Sequence, residues 1–409
     1  MTTAASDPRR LLPMILGVTG MGVLTFNLIA PALPDLADAM GVSRAAIGLI
    51  QGAVAVPGVV LAIFIGYLAD RRGRRFVAVA SLLIFGIAGT AAFAARSFWV
   101  LVAVRAVQGI GVSGILSLGV ILIGDLFPPG RQRRWALGIN SAGLTMTGMV
   151  APIVGGALAG IDPFLPFLVF SLAFPVALLA HFRLPAGSPE LPPPPLTHIR
   201  SMFSELRARG NLADFLGLLP FSTFALVVFA GLGFTTTPLY LESEFGLGPT
   251  QRGLVQALLS AGSTTGSLST ARLAERHGSG RVFSFGFALL VAGFAVLAFA
   301  PQVAVAGVGL ATLGLGLGLS FPLLQDVVTS SVEARHRGAA VGTFVTAVRF
   351  GQSFGPVLGS AMAVTPGARP TYWISGALTL VVLMGWRRMR AAGRRVVARR
   401  LPPAHPSGT

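Results

Sequence analysis

Apolar sequence dominates this chain and falls into twelve separate runs. Each run has about 18 to 29 mostly apolar residues, long enough for an α-helix to cross the hydrocarbon core of a bilayer. Only 11% of the 409 residues are charged, against about 25% in soluble domains, and the mean hydropathy is +0.77. The sequence therefore predicts an all-α membrane protein with twelve transmembrane helices. The runs lie near 11–33, 45–69, 76–95, 98–124, 135–159, 164–182, 213–240, 250–273, 281–300, 303–331, 338–362 and 370–387.

All 31 basic residues are arginine, and their placement predicts an orientation. If the N-terminus is cytoplasmic, 25 arginines fall on that side, four on the other side and two within the predicted helices. Loops rich in arginine stay on the cytoplasmic side of membranes. We therefore expect a multi-pass protein of the cytoplasmic (inner) membrane with both termini inside the cell. The four outer arginines are Arg44, Arg96, Arg252 and Arg369.

The residue types that the chain lacks argue against several functions. Without cysteine it has no disulfides, thiolate metal sites or cysteine nucleophiles, and without lysine it has no P-loop lysine and no Schiff-base lysine. Neither a His-Glu-x-x-His motif nor a nucleophile constellation is evident, so we predict no enzyme, no cofactor and no metal. The net charge of +17 lies in loops between apolar runs, which indicates a membrane protein and no nucleic-acid partner. No small-residue cleavage site follows the first run, so we predict no signal peptide.

The two halves of the chain repeat each other at an offset of 204 to 205 residues. Gly48–Gln51 matches Gly253–Gln256, and Leu68–Gly73 matches Leu273–Gly278. Six helices in each half make these parallel repeats, an architecture that places a substrate site between the halves and suits alternating access. The predicted parts are an N-terminal six-helix bundle over 1–184, a cytoplasmic linker over 185–211, a C-terminal six-helix bundle over 212–388 and an arginine-rich cytoplasmic tail over 389–409.

The loop between the second and third runs reads Gly-Tyr-Leu-Ala-Asp-Arg-Arg-Gly-Arg-Arg over 66–75. It resembles the signature loop of the major facilitator superfamily, Gly-x-Leu-Ala-Asp-Arg-x-Gly-Arg-Arg, at every position. The resemblance implies two pseudo-symmetric six-helix bundles and a set of inner-face contacts that change between conformations. The alternative is an arbitrary charged loop that is held on the cytoplasmic side of the membrane and has no switching role. The predicted switch residues are Gly66, Asp70, Arg71, Gly73, Arg74, Asp125, Glu275 and Arg276.

A second motif lies in the fourth predicted helix, where Arg105 begins an Arg-x-x-Gln-Gly-x-Gly sequence. It is similar to the superfamily pattern whose arginine is associated with proton coupling. A guanidinium in the bilayer core costs several kcal/mol, so Arg105 needs a partner or a wet cavity. The alternative is that it ties helices together. Candidate acids for the coupled proton are Asp326 first and Asp35 second, each of which could instead be a helix-end charge or an interfacial ion pair.

A third motif, of small residues and proline, lies in the fifth predicted helix and recurs in the eleventh. It resembles the Gly-x8-Gly-x3-Gly-Pro-x2-Gly-Gly pattern of drug–proton antiporters, although Thr147 and Ala151 replace two glycines. Mechanically, such residues let helices approach closely and the proline kinks the helix. The resemblance to the twelve-helix drug–proton antiporter branch covers the whole chain. The motif residues are Gly138, Pro152, Gly155, Gly156, Gly342, Gly351, Gly355 and Pro356.

Polar and aromatic residues inside the predicted helices are candidates to line a substrate cavity. Arg349 could attract an anionic substrate, or pair with Asp326 and join helices. With two buried arginines and no central acid, neutral or anionic lipophilic substrates fit at least as well as cationic ones. The cavity candidates are Phe26, Asn27, Gln51, Gln108, Asn140, Gln256 and Arg349.

These patterns predict a monomeric secondary transporter whose partners are a small-molecule substrate, protons and the lipid bilayer. The first expectation is proton-coupled efflux of drugs or other lipophilic molecules by alternating access. The alternative is a proton-coupled carrier of one metabolite, such as a sugar or an organic anion, in either direction.

Overall fold

The computed structural model describes residues 11–128, 130–184, 195–210, 212–333 and 336–400, and all regular structure in these ranges is helical. Twelve long helical segments, α1 to α12, follow one another, and a short linker helix, Pro195–Ala208, precedes α7. The segments are α1 Leu12–Met40, α2 Gly48–Ala53 and Val56–Arg72, α3 Arg74–Ala94, α4 Phe98–Leu126, α5 Arg131–Ala159, α6 Leu165–Arg183, α7 Leu212–Leu226 with Val227–Thr236 and Thr237–Phe245, α8 Pro249–His277, α9 Ser279–Phe299, α10 Val303–Ser330, α11 Arg337–Met362 and α12 Ala368–Arg400.

Eight of the described segments are long and apolar enough to cross a membrane by length and hydropathy alone. These are α1, α3, α4, α5, α6, α7, α9 and α10. Two of the others, α8 and α11, pack against the opposite half of the molecule, so small and polar residues replace large apolar ones on them. The order and number of helical segments agree with the predicted twelve.

The described side chains form two hydrophobic cores. The first core contains α1 to α6, and the second contains the linker helix and α7 to α12. One buried residue of each half packs in the core of the other half. Leu239 of α7 packs in the first core, and Ala30 of α1 packs in the second. Two six-helix bundles are therefore present, as predicted. The start of the predicted linker, 185–194, and residue 211 lie outside the described residues, so the predicted domain limits stay a prediction.

A single glycine joins α2 to α3, and another joins α8 to α9. Gly73 has φ 87° and ψ 146°, and Gly278 has φ 81° and ψ 136°. Only glycine adopts this backbone region without strain. The sequence repeat is therefore also a repeat of backbone geometry. The second predicted helix ended near 69, but α2 continues to Arg72, because arginines in a last helical turn favour the helix dipole.

We call the end of the molecule that carries Gly73 and Gly278 the arginine-rich end. The other end, which carries the short loops 41–47 and 246–248, is the opposite end. In α7 the middle stretch Val227–Thr236 is π-helical, a distortion that often marks functional helices.

Candidate functional site

Arg105 of α4 is fully buried in the first half, where four acceptors surround its guanidinium. Nε donates to the carbonyl oxygen of Ile50 at 3.2 Å, and Nη2 donates to that of Thr25 at 2.9 Å. Nη1 donates to Oε1 of Gln108 at 2.6 Å, and Nη2 also donates to Oε1 of Gln51 at 3.2 Å. Four of the five guanidinium N–H groups are thus used, and the bonds tie α4 to α1 and α2.

The charge of Arg105 is balanced by dipoles and aromatic rings. Its Cζ lies 6.0 Å from the ring centre of Phe167 and 5.8 Å from that of Phe170. Within the described ranges no carboxylate contacts it. This geometry fits the alternative prediction, that Arg105 joins helices, and it brings neither Asp326 nor Asp35 to the guanidinium.

Gln51 of α2 and Gln256 of α8 are equivalent residues of the two halves and make equivalent bonds. Nε2 of Gln51 donates to the Phe26 carbonyl at 3.1 Å, and Nε2 of Gln256 donates to the Gly233 carbonyl at 3.0 Å. Arg105 fills the acceptor oxygen of Gln51, whereas Oε1 of Gln256 is buried without a partner among the described residues. The second half therefore repeats the hydrogen bond from glutamine to a main-chain carbonyl, but no arginine contacts this glutamine among the described residues.

The other predicted cavity residues divide between the interface and the bundle interior. Asn27 lies where the halves meet, since a methyl group added to Gly148 of α5 would lie 3.5 Å from its Nδ2 and 3.9 Å from Cβ of Ser260 in α8. Oδ1 of Asn27 is buried and has no partner among the described side chains. Asn140 instead accepts a hydrogen bond from Thr19 at 2.8 Å within the first half. Asn27 therefore lies at the interface between the halves with an amide oxygen that no described group occupies.

Two equivalent helix pairs join the halves, α2 with α11 and α5 with α8. Gly48 lies directly against the carbonyl oxygen of Pro356, and Gly253 lies directly against that of Pro152. A methyl group on either glycine would collide with the oxygen. We call these two glycine–carbonyl contacts the seam. Because both prolines belong to the antiporter-like motif, the motif supplies one side of each contact.

The remaining residues of that motif also pack helices. Gly156 extends the seam, since it lies against the carbonyl of Pro249. Gly155 packs on α1, and Gly351 and Gly355 pack on α7. Space around Gly138 is open, and the Gly342 carbonyl accepts the Thr346 hydroxyl at 3.0 Å.

Ion pairs cross between the halves at the opposite end. Asp35 of α1 binds Nη2 of Arg252 in α8, and Arg252 is only 1% exposed. Arg44 binds Glu242 of α7 at 2.8 Å and also binds Asp38. The hydrogen bond with Asp38 raises the pKa of Arg44, although partial burial opposes the shift. The opposite end is therefore closed by charge pairs as well as by the seam.

The roles of Arg252 and Arg44 in these pairs were missed from the sequence. Arg252 directly precedes the repeated segment Gly253–Gln256. This position beside a repeated motif is the one feature of the sequence that could have indicated a role for Arg252. The pairing itself depends on how the halves pack, which no local pattern reports.

At the arginine-rich end, Arg74 forms an ion pair with Asp125, which links the start of α3 to the end of α4. Glu275 and Arg276 are exposed in the last turn of α8, and no ion pair is described between them. Arg71 is exposed as well. The side chain of Asp70 and the surroundings of Gly66 lie outside the described part of the chain. Of the predicted switch network, the structure thus describes the Arg74–Asp125 pair.

Arg349 and Asp326 do not form the pair that one prediction allowed. Arg349 is 4% exposed, and its Nη1 donates to Oε1 of Gln352 at 3.2 Å on the same helix. Asp326 is exposed on α10 and is not among the contacts of Arg349.

Comparisons with known proteins agree with this architecture. The sequence profile of the Major Facilitator Superfamily matches residues 15–248 and again 231–406. The "Tetracycline resistance protein, class G" of Vibrio anguillarum is 30% identical over 395 residues, covering 91% of this chain and 94% of that protein. The "Chloramphenicol resistance protein" of Streptomyces lividans is 29% identical over 386 residues, covering 92% and 95%. The crystal structure of the nucleoside transporter NupG matches with a TM-score of 0.71 and 17% identity over 92% of this chain and 99% of that one, which shows a shared fold.

The first match extends through the linker helix and α7, and the two matches overlap over residues 231–248. Nearly the whole chain is covered, and the match assigns it to transporters and not to enzymes. With its apolar helical segments and its contacts between two bundles, the chain is a multi-pass membrane protein of the Major Facilitator Superfamily.

Proposed function

We propose that this protein is a proton-coupled antiporter that exports drugs or other lipophilic small molecules by alternating access. The seam is the observation that carries the proposal. Pro152 of the antiporter-like motif meets Gly253, and its repeat Pro356 meets Gly48. A contact between bare backbones closes one end tightly and leaves no side chain to withdraw when the halves separate. The names of the tetracycline and chloramphenicol resistance relatives support export over import.

The proposed orientation places the arginine-rich end in the cytoplasm and the opposite end outside. Its support is the predicted split of the arginines. In this orientation the ion pairs and the seam close the outer end, so substrate enters from the cytoplasm or the inner leaflet. We propose a monomer in the cytoplasmic membrane, because each chain contains both halves of the transport path.

Asp35 is our proposed proton carrier. It is bound to Arg252 of the other half, so protonation of Asp35 removes an attraction that joins the halves. Arg105 contacts no carboxylate within the described ranges, and Asp326 is exposed on α10. In the cycle, Asp35 takes up a proton while the outer end is open, so its bond to Arg252 is absent. The outer end then recloses with Asp35 protonated, and the proton leaves to the cytoplasm only after the inner end has opened, when the pair with Arg252 re-forms.

A dedicated carrier of one organic anion is the second candidate. Two buried arginines, Arg105 and Arg349, lie inside the molecule, and neither meets a carboxylate among the described residues. Such an interior favours an anion over a cation.

The test uses proteoliposomes with an imposed proton gradient. Lumenal pH is recorded while lipophilic drugs, sugars and organic anions are added in turn. Gradient collapse with several unrelated lipophilic compounds is the expected result, and Asp35→Asn should abolish it. Glu244→Gln is the matched control, because Glu244 lies at the same end but pairs at 2.7 Å with Arg369 of its own half.

Other outcomes have definite meanings. Response to one metabolite alone would establish the dedicated carrier. Loss of coupling in Asp326→Asn with normal coupling in Asp35→Asn would move the proton site to α10. If no compound changes the lumenal pH, the proposal of proton coupling is wrong.

A further inference from the structure

We propose that Arg349 anchors a binding site for the carboxylate of a lipophilic substrate, so that the transporter selects organic acids over the corresponding neutral compounds. This rests on the proposed function, because it assigns a substrate class to the same transport path.

The side chain of Arg349 lies where the two halves meet. A methyl group added to Gly58 of α2 would lie 3.0 Å from both Cδ and Nε of Arg349 and 3.2 Å from the hydroxyl of Ser113 in α4. Arg349 belongs to α11, so its side chain lies against α2 of the other half, close to Ser113 of α4. Gly58 provides the space that the side chain occupies. A ligand bound here would contact both halves, as a substrate must in alternating access.

The donors of Arg349 are mostly unused. Its one described hydrogen bond runs from Nη1 to Gln352 at 3.2 Å, so four of five N–H groups have no described partner. Arg105 is the internal comparison, since four acceptors surround it. Both guanidinium groups are buried, yet only in Arg105 are most of the hydrogen-bond donors occupied by protein acceptors. Arg105 therefore serves the fold, whereas Arg349 retains donors for something else.

The chemistry of those donors points to a carboxylate. A guanidinium presents parallel N–H groups that match two carboxylate oxygens, and it stays charged in a buried site. An unpaired buried charge is unfavourable, and an anionic ligand would relieve it. Among the described residues no acid contacts Arg349, and an anionic ligand would supply the missing counter-charge.

Direct binding tests the proposal without a proton gradient. Purified full-length protein in detergent is dialysed against radiolabelled 2-naphthylacetic acid or its methyl ester, which differ in charge and share the ring. We expect the acid to bind at least tenfold more tightly than the ester. Arg349→Met should weaken acid binding at least tenfold and leave ester binding unchanged, and Arg349→Lys should give an intermediate loss.

Two controls separate a binding role from a structural one. Arg281→Met removes an exposed arginine of α9 and should leave both affinities unchanged. If Arg349→Met fails to give a folded monodisperse protein, Gly58→Val replaces it, because the added side chain would displace the guanidinium. Gly58→Val should also weaken binding of the acid and leave binding of the ester unchanged.

Equal affinity of the wild type for acid and ester would overturn the proposal, as would a parallel loss of both in a folded Arg349→Met protein. Because binding is measured at equilibrium, failure of proton coupling in vesicles leaves this result interpretable. Conversely, normal antiport by a folded Arg349→Met protein that retains its selectivity for the acid would overturn the anion site and leave the proposed function standing.

Discussion

Gly253 in α8 lies against the main-chain carbonyl oxygen of Pro152 in α5, and Gly48 and Pro356 repeat the contact between α2 and α11. A proline has no N–H and disturbs the hydrogen-bond ladder around it, which lets its helix bend toward the neighbour. Each glycine then admits the carbonyl oxygen to a distance that any side chain would prevent. The two halves meet backbone to backbone.

Enlarging the seam should therefore open the opposite end of the molecule. Overpacking costs about 1–3 kcal/mol, so Gly253→Val should raise the population of the open form at least about fivefold. The chain has no cysteine, which makes a single reporter cysteine simple to introduce. Ala30→Cys reports opening, because Ala30 is buried and packs on the core of the other half. Faster reaction with a membrane-impermeant maleimide is the expected readout. Gly385→Val is the control, since nothing lies within 4 Å of that glycine, and equal rates in both variants would contradict the prediction.

The Asp35–Arg252 pair should behave as one unit. Charge-assisted bonds contribute roughly 1.5–3 kcal/mol, so Asp35→Asn alone should shift the closed equilibrium roughly tenfold to a hundredfold. Nε and Nη1 of Arg252 have no described partner, so the single variant leaves a buried guanidinium without its bond. The exchange Asp35→Arg with Arg252→Asp should restore part of the closure, measured by the same cysteine reaction. Additive effects of the two changes would show that the residues act separately.

Arg105 and Arg349 should differ sharply in their effect on stability. Arg105→Met removes four hydrogen bonds and leaves buried acceptors on Gln51 and Gln108 unpaired, at about 1–3 kcal/mol for each buried group. We expect the melting temperature in detergent to fall by on the order of 5–10 °C. Arg349→Met loses one described bond and should melt within about 2 °C of the wild type. Equal losses would mean that both arginines serve the fold.

Replacing the glycine joint should strain the arginine-rich end. Gly73→Ala forces a side chain into a backbone region that only glycine occupies readily, which costs on the order of 1–3 kcal/mol. The equivalent change Gly278→Ala should cost about the same, because its angles are nearly identical. Chemical denaturation of the two variants beside Gly385→Ala measures this. A destabilisation confined to one joint would show that the halves are not equivalent there.

The helical segments and the repeat were predictable, because hydropathy and matched motifs are local properties of the sequence. The cost of a buried charge also singled out Arg105 and Arg349. Their partners were not predictable: Arg105 meets carbonyl and amide oxygens, which every helix carries. The sequence does not indicate which glycine contacts which proline carbonyl, so the seam could be identified only from the structure. The switch role of Asp70 stays a prediction.

Gly73 is a joint of one residue, and its two helices face different surroundings. α2 packs against α11 of the other half, whereas α3 packs on α4 and α6 and presents Phe76, Leu83 and Ile87 outward. With one residue between them, neither helix can move along its axis without the other. Any displacement of α2 during transport is therefore carried to a surface that meets lipid. We therefore expect the thickness and lateral pressure of the bilayer to affect the equilibrium between the two open forms of the transporter.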